Sequence, residues 1–242
     1  MTIGSRFDAA LARESDPGLA GPELLPVRLS RACAALLAVD GAGLSLVDGT
    51  GRRVPLGASS PAASRAERMQ FTAGEGPCLT SQSTGQPVFA VEEDLRRRWP
   101  MFADLLLGGT PFRAVVALPL HPGPVGDGAL DLFFTRAPAV AELDVFEAVA
   151  VGELVTSSLG DAAVWSTWTP AEGPGFLHGP APRRRAAVWE AMGKLSVALD
   201  IDPTEALARM RTDAYTSGRS VDDVAAELLT GRRPVEDLRR DE

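Results

Sequence analysis

A stretch dense in glycine and proline divides this sequence into two parts, each of which is long enough to build its own core. Residues 160–182, GDAAVWSTWTPAEGPGFLHGPAP, show no sustained periodicity and lie between two strong helical patterns, as is typical of a linker. Trp165, Trp168 and Phe176 are unusual in a free linker, so part of it is expected to lie against a domain surface. The predicted order is an N-terminal extension (1–21), a first domain (22–159), the linker (160–182), a second domain (183–231) and an acidic tail (232–242).

Composition restricts the classes of protein to which the chain can belong. Its 242 residues, 45% of them apolar, suffice for a medium and a small domain. No apolar run approaches the roughly 20 residues of a membrane-spanning helix, and the first residues lack the basic-then-apolar order of a signal peptide. A cytoplasmic protein without a membrane partner is expected. The net charge of −8 argues against broad binding to DNA, and Cys33 and Cys78 are too few for a disulfide framework.

The first domain mixes strands and helices irregularly. Apolar residues at helical spacing predict an opening helix over 22–39. The segments GLSLVD and RRVPLGAS, joined by a glycine-rich turn, predict an antiparallel pair of strands. The strands at 113–120 and 128–136 are joined by HPGPVGDG, which is too short for a crossover helix, so they are also expected to be antiparallel. Because strands and helices do not alternate strictly, the predicted fold class is α+β.

A helix predicted over 141–159 is apolar on more than one face. Packing against its own sheet alone needs a narrower apolar stripe. The surplus indicates either a homodimer interface, shared with the opening helix, or burial between the sheet and the linker.

The second domain carries clear signals for three helices. Apolar spacing predicts a first helix over 183–199. Asp-Pro-Thr-Glu at 202–205 supplies an N-cap, a proline at the first helical position and a capping-box glutamate, and Gly218 suits the end of that second helix. Ser220 caps a third helix, which Gly231 closes. The sequence therefore predicts an all-α bundle of about 50 residues.

Residues that would support catalysis are sparse. His121 and His178 stand beside prolines or glycines in predicted loops, without ligand spacing or a Ser/His/Asp arrangement, and there is no P-loop. We expect a non-enzymatic protein without a cofactor or a metal. In the segment GEGPC, the glycines permit a tight turn and Pro77 begins a short helix. Cys78, in the first turn of that helix, is either a buried packing residue or a redox sensor.

An aromatic group in the first domain is the candidate for a small-molecule pocket. It either lines a cavity between the sheet and the 97–109 segment or simply fills the core. Few polar groups converge on it, so no ligand class follows. The predicted pocket residues are Phe71, Cys78, Phe89, Trp99, Phe102, Phe112 and Phe133.

Two parts of the chain resemble known domain families. The first domain resembles the GAF domains of actinobacterial sensor proteins, through QFTAGEGPC (70–78), TGQPV (84–88), DLRRRWPMFA (94–103), RAVVALPL (113–120) and GALDLFF (128–134). The second resembles the ANTAR domain, through EAMGKL (190–195), EALARMRTDA (205–214) and VDDVA (221–225). Together they resemble a GAF-ANTAR transcription antitermination regulator.

This resemblance implies a six-stranded antiparallel GAF-like sheet flanked by helices, followed by a three-helix ANTAR module that binds structured leader RNA. Residues 183–219 hold seven basic residues against five acidic ones, a net charge of +2, which is a weak basic patch. Tyr215 would stack on an exposed base. The predicted RNA-binding residues are Arg183, Arg184, Lys194, Arg209, Arg211, Tyr215 and Arg219.

Two hypotheses for the function follow. In the first, a signal or dimerisation at the GAF domain controls binding of a leader hairpin by the ANTAR module, and thereby transcription termination. In the second, the bundle docks on a partner or on its own GAF domain without binding RNA. The pairing of the two domains motivates the first hypothesis, which we favour. The acidic balance motivates the second. So does Met192, which stands where ANTAR sequences often carry a basic residue before Gly193, with Lys194 displaced to the other side.

Overall fold

The structure is a computed structural model that describes residues 1–48, 51–123, 126–165 and 173–239. These residues form five strands and ten α-helices. The strands are β1 (Gly41–Val47), β2 (Arg53–Ala58), β3 (Val88–Val91), β4 (Ala114–Leu120) and β5 (Gly128–Phe134). The helices are α1 (Ile3–Arg13), α2 (Leu25–Leu36), α3 (Pro61–Ala73), α4 (Pro77–Thr84), α5 (Glu92–Arg98), α6 (Pro100–Gly109), α7 (Val145–Trp165), α8 (Pro180–Leu199), α9 (Pro203–Thr216) and α10 (Val221–Thr230). Within the described ranges, no helix combines the length and apolar character that a bilayer crossing requires.

The five strands form one antiparallel sheet in the order β2-β1-β5-β4-β3. The predicted pairing of β1 with β2 and of β4 with β5 is confirmed. The α+β class is confirmed as well, with one antiparallel sheet flanked by helices and a helical C-terminal part. The described residues supply five strands to this sheet, in place of the six that the resemblance implied.

Two apolar layers cover the two faces of the sheet, because successive side chains of a strand point to opposite faces. On β5, Leu130 and Leu132 face the layer formed by α1, α2 and α7. The adjacent Phe133 faces the layer formed by α3, α5 and α6. The sheet is therefore buried on both sides, and a polar side chain within it must find its partners inside the protein.

The N-terminal extension contains a helix that belongs to the first of these layers. Phe7 of α1 is buried in that layer, and Arg6 forms a 2.7 Å ion pair with Glu147 of α7. Part of the extra apolar surface of α7 is thus covered by α1. The sequence pattern indicated only a homodimer or the linker as the covering element. Phe146 remains 90% exposed near the start of α7.

The segment predicted as a linker is shorter in the structure, because the flanking helices extend into it. Helix α7 continues to Trp165, and α8 begins at Pro180. Phe176 is buried against the first apolar layer, so this end of the segment lies on the sheet domain. Trp168 lies outside the described residues.

Helices α8, α9 and α10 form the bundle that the cap signals predict. The Asp202 carboxylate accepts hydrogen bonds from the amides of Thr204 and Glu205, and Ser220 forms a capping box with Asp223. Such caps each contribute about 1 kcal/mol. The acidic tail continues past a short 3-10 turn with Leu238 buried on the bundle, and its last residues, 240–242, lie outside the described part of the chain.

Candidate functional site at the joint between sheet domain and bundle

The bundle packs against α3 of the sheet domain through consecutive residues of that helix. Gln70 points towards the sheet, where its amide donates to Asp131. Phe71 is only 4% exposed and belongs to the apolar cluster of the bundle. The hydroxyl of Thr72 accepts a 3.0 Å hydrogen bond from the amide of Val221, the first residue of α10. Helix α3 is therefore shared between the two parts of the chain.

The ring of Phe71 is enclosed by side chains of the bundle. Trp189 of α8 meets it edge-to-face, with ring centroids 5.6 Å apart. The guanidinium carbon of Arg185 lies 3.3 Å from its centroid, and that of Arg211 lies 4.8 Å away. Aromatic pairs and desolvated cation–π contacts each contribute roughly 0.5–2 kcal/mol. Phe71 is thus the central side chain of this contact.

A buried ion pair lies beside the ring. Arg185 of α8 donates from Nε and Nη2 to the two carboxylate oxygens of Asp222 on α10, each at 3.3 Å, and both side chains are about 1% exposed. Nη1 of Arg185 also donates to the backbone oxygen of Arg53 on β2 at 3.4 Å. Burial lowers the pKa of Arg185 to about 10, although the charge of Asp222 acts in the opposite direction. The pair therefore holds the bundle together and ties it to the sheet.

We call this contact the joint, and it comprises Arg53, Phe71, Thr72, Arg185, Trp189, Arg211, Val221 and Asp222.

A second group of buried polar side chains lies between α3 and the sheet, directly beneath the joint. Arg53 donates from Nη2 to Glu67 Oε2 at 3.0 Å and to Cys78 Sγ at 2.7 Å. The same nitrogen lies 3.9 Å from Asp131 Oδ2. Gln70 closes the group, donating to Asp131 Oδ2 at 2.6 Å and accepting from the amide of Cys78 at 3.0 Å. We call these five residues the polar cluster.

The electrostatics of the polar cluster favour a protonated glutamic acid. One guanidinium faces two carboxyl groups, Glu67 and Asp131, and all three side chains are buried. Burial and the neighbouring Asp131 charge raise the pKa of Glu67 well above its usual range, against the opposing effect of Arg53. The cluster therefore has a charge balance that depends on a single proton.

Cys78 is held in the same cluster as a neutral thiol. Burial raises the pKa of Cys78 well above its usual value, even though Arg53 favours the thiolate. Ser45 Oγ lies 3.3 Å from the sulfur. Pro77 begins α4, as predicted, but the thiol beside it is fully buried. The packing role of Cys78 is favoured over the redox role, because a reactive thiol requires exposure and thiolate character. Cys33 is also buried, which raises its pKa to about 12.

Two of the predicted RNA-binding arginines are engaged within the bundle itself. Arg209 is paired with Glu205 on the same helix. Arg219 is paired with Glu227 at 2.7 Å and with Asp213 at 3.5 Å. These partners move with the bundle, so separating it from the sheet domain does not free either guanidinium.

Two other predicted RNA-binding residues are engaged across the joint. Arg211 is half-buried over Phe71, and the hydroxyl of Tyr215 donates to Asp104 of α6 at 3.0 Å. In contrast to the arginines above, both side chains have their partners on the sheet domain. Separation of the two parts would release them.

The remaining predicted RNA-binding residues lie on α8. Arg183 and Arg184 are exposed in its first turn. Lys194 is exposed further along and donates to the backbone oxygen of Leu228 at 2.7 Å. The seven predicted residues are therefore distributed over three different environments instead of one continuous basic face.

The residues predicted for a small-molecule pocket are not arranged around a common cavity. Trp99, Phe102, Phe112 and Phe133 are buried in one apolar cluster, where Phe112 and Phe133 stack with centroids 4.9 Å apart. Phe89 is 37% exposed on β3. Phe71 belongs to the joint and Cys78 to the polar cluster. The core-filling interpretation fits this arrangement.

Several residues of the joint and the polar cluster escaped the sequence analysis. Three of them share one signal, a charged residue close to apolar residues in the sequence. Arg185 precedes the apolar stripe of α8 by one turn, Asp131 interrupts the apolar strand GALDLFF, and Glu67 lies one turn from Ala63. Charged side chains are almost never fully buried unless paired, so each such position predicts a buried partner without identifying it.

Structural comparisons find GAF domains among the solved structures that match this chain. The GAF domain of an Acinetobacter phosphoenolpyruvate-protein phosphotransferase matches with 10% identity and a TM-score of 0.45, over 66% of this chain and 92% of that chain. The corresponding domain from Coxiella burnetii matches with 12% identity and a TM-score of 0.46, over 65% and 90%. Escherichia coli SdiA matches with 14% identity and a TM-score of 0.42, over 95% and 98%.

All three TM-scores lie below 0.5, and the matches carry no conclusion about a ligand or an activity. No protein-family model matches the sequence, and no curated protein matches it either.

Proposed function

We propose that this chain is a non-enzymatic, signal-responsive regulator whose helical bundle is docked on its own sheet domain in the resting state. The observation that supports this proposal is the position of Phe71. It lies on a helix of the sheet domain, yet it is buried in the apolar cluster of the bundle between Arg185 and Trp189. A linker-tethered module that made only incidental contact would not require a buried aromatic side chain from its neighbour.

The proposed route for a signal runs from the polar cluster to the joint. Gln70 and Phe71 are neighbours on α3, one bonded to Asp131 and the other enclosed by the bundle. Arg53 contributes its guanidinium to the polar cluster and its backbone oxygen to Arg185. A change in the sheet domain that moves α3 or β2 therefore alters the docking contact directly.

We further propose that the undocked bundle binds RNA, as its ANTAR-like sequence implies. The specific support is that Arg211 and Tyr215 have their partners on the sheet domain, while Arg183 and Arg184 are already exposed. Release would join these four side chains on one free module, where arginine contacts phosphates and tyrosine stacks on a base. In the docked form, RNA binding is expected to be weak.

A gel shift with a structured leader hairpin at low salt tests the proposal. The Phe71→Ala variant, which weakens docking, is expected to bind more tightly than the unmodified chain. Phe89→Ala is the matched control, because it makes the same change on a strand away from the bundle. If neither the unmodified chain nor Phe71→Ala binds, RNA is not the target, and the bundle acts on a protein partner or only on its own sheet domain.

The exposed part of α7 supports a homodimer as a further element of this proposal. Phe146 is 90% exposed, and Val145 and Val149 are each 40% exposed on the neighbouring turn. A cluster of exposed apolar side chains on one helix is a typical site of self-association. The signal that the sheet domain receives would then act on a paired molecule.

A further inference from the structure

A groove of about 260 Å³ lies where β2 and the start of α3 meet the start of α8. It adjoins a narrow recess of about 20 Å³ that reaches inward to Glu67 and Asp222. Its walls include Val27 and Leu56 of the sheet domain and Pro180 of α8. Both parts of the chain therefore build this groove, and its walls are partly apolar.

Three arginines line the groove or its recess. Arg184 of α8 lines both, and within the described part of the chain no ion pair engages it. Arg68 of α3 lines the recess, where Nη1 donates to Ser64 Oγ at 3.1 Å and the buried Nε has no hydrogen-bond partner among the described residues. Arg31 of α2 lines the groove and is paired with Glu14 at 3.4 Å.

Most of the carboxylates near these arginines have a cationic partner of their own. Asp222 is paired with Arg185, and Glu67 lies against Arg53. Asp223 bonds only to the neutral Ser220, so its charge acts on both Arg68 and Arg184. Two guanidiniums therefore share one carboxylate, and the charge left over in the groove is positive.

Burial, followed by the charge of Arg184, lowers the pKa of Arg68, while Asp222 and Asp223 oppose this shift. Two guanidiniums that repel each other at a half-buried position are relieved by an anion placed between them.

Two helices also begin at the groove. Pro61 starts α3, a helix of 13 residues, and Pro180 starts α8, a helix of 20 residues. The first residue of each helix lines the groove, so the positive ends of both helix dipoles lie beside it. This field adds to that of the arginines, which favours an anion over a neutral ligand.

We propose that this groove binds a small phosphorylated molecule with an apolar body, held by Arg68 and Arg184 across the boundary between sheet domain and bundle. Guanidinium groups match the phosphate oxygens with paired hydrogen bonds. The volume lies just below the range of about 300–1,000 Å³ that is usual for small-molecule pockets, which suits a small ligand. The apolar walls provide contact for the body of the ligand.

This inference rests on the proposed docking, because α8 supplies Arg184 and Pro180. A ligand that contacts both parts stabilises the docked state by mass action. Binding at the groove would therefore be expected to keep Arg211 and Tyr215 covered.

Calorimetric titration of the full chain with phenyl phosphate and with inorganic phosphate tests the proposal. We expect saturable binding at one site, with phenyl phosphate the tighter ligand. Arg184→Ala, at an exposed position, is expected to lower the affinity about tenfold, because it removes one charge-assisted hydrogen bond to the phosphate. Arg183→Ala is the matched control, since it removes the neighbouring exposed arginine that does not line the groove.

Absence of saturable binding overturns the proposal, as does an equal loss of affinity in the two arginine variants. Equal affinity for the two phosphates overturns the assignment of an apolar body. Hydrogen exchange at the Val221 amide, measured without ligand, distinguishes failure of the groove proposal from failure of the docking proposal. A protected amide with no phosphate binding rejects the groove alone, whereas an unprotected amide rejects the docking on which it rests.

Discussion

Replacing Phe71 with alanine is expected to undock the bundle while leaving both parts folded. The side chain is 4% exposed, and the apolar cluster that surrounds it is made of residues from α8, α9, α10 and the turn that follows. Truncating a buried phenylalanine costs about 3–5 kcal/mol. Because the lost contacts join the two parts and do not lie within the sheet core, the docking equilibrium should shift by roughly two to four orders of magnitude.

Hydrogen exchange gives the clearest measurement of this shift. The Val221 amide donates to Thr72 across the joint, so its protection reports docking. In the Phe71→Ala variant, Val221 should exchange about a hundredfold faster or more. Amides in the centre of β5, which pair with β1 and β4, should keep their protection. Phe89→Ala, a control at a half-exposed position on β3, should leave both groups unchanged.

Two results would refute the reasoning. If Val221 keeps its full protection in Phe71→Ala, the ring does not hold the bundle. If β5 loses protection together with Val221, then Phe71 supports the sheet domain itself, and the two parts unfold as one cooperative unit.

Three further predictions follow from the buried charges and the exposed apolar surface. Asp222→Asn leaves Arg185 as a buried charge without its carboxylate, and should lower the free energy of unfolding by about 3–5 kcal/mol in chemical denaturation. The double variant Asp222→Leu/Arg185→Met should recover most of that loss. No recovery would contradict a purely electrostatic cause. Because the pKa of Glu67 is raised in the folded protein, the protonated side chain contributes to stability. This contribution is fully present below the usual glutamate pKa of about 4.3 and is lost as the pH rises through the pKa of the folded state. Thermal unfolding across pH should therefore show a decline that Glu67→Gln abolishes, and an identical decline in the variant would assign it to another group. Phe146→Asp should convert a dimer to a monomer in light scattering, and a chain that is already monomeric at micromolar concentration removes the dimer proposal.

The parts of the fold that could be predicted from the sequence are those governed by local interactions. The caps of α9 and α10 lie where Asp202 and Ser220 indicated, because a cap depends on residues within one helical turn. The short connection after β4 likewise required an antiparallel partner. In each case the decisive contacts are only a few residues apart in the chain.

The candidate site could not be predicted in the same way, because its contacts join distant residues. Arg53 and Arg185 are separated by more than half of the chain, and nothing near either one indicates the other. The aromatic residues predicted to form a pocket show the same limitation, because their sequence does not indicate which distant residues they contact. Phe71 and Phe112 have equal hydrophobic character, yet Phe71 lies in the joint and Phe112 in the sheet core. Periodicity identifies a buried face but does not say which element covers it.

The proximity of the polar cluster to the joint has a consequence for how docking responds to a signal. Successive residues of an α-helix differ by about 100° around its axis, so Gln70 and Phe71 face different neighbours from one rigid element. A small rotation or shift of α3 that lengthens the Gln70–Asp131 bond must also move the Phe71 ring between Arg185 and Trp189. Close-packed interiors do not deform continuously, and such a contact therefore changes between discrete arrangements. Since Glu67 lies one turn before Phe71 on the same helix, loss of its proton would place a charge on α3 beneath the docked bundle, and this change would act on the bundle through α3.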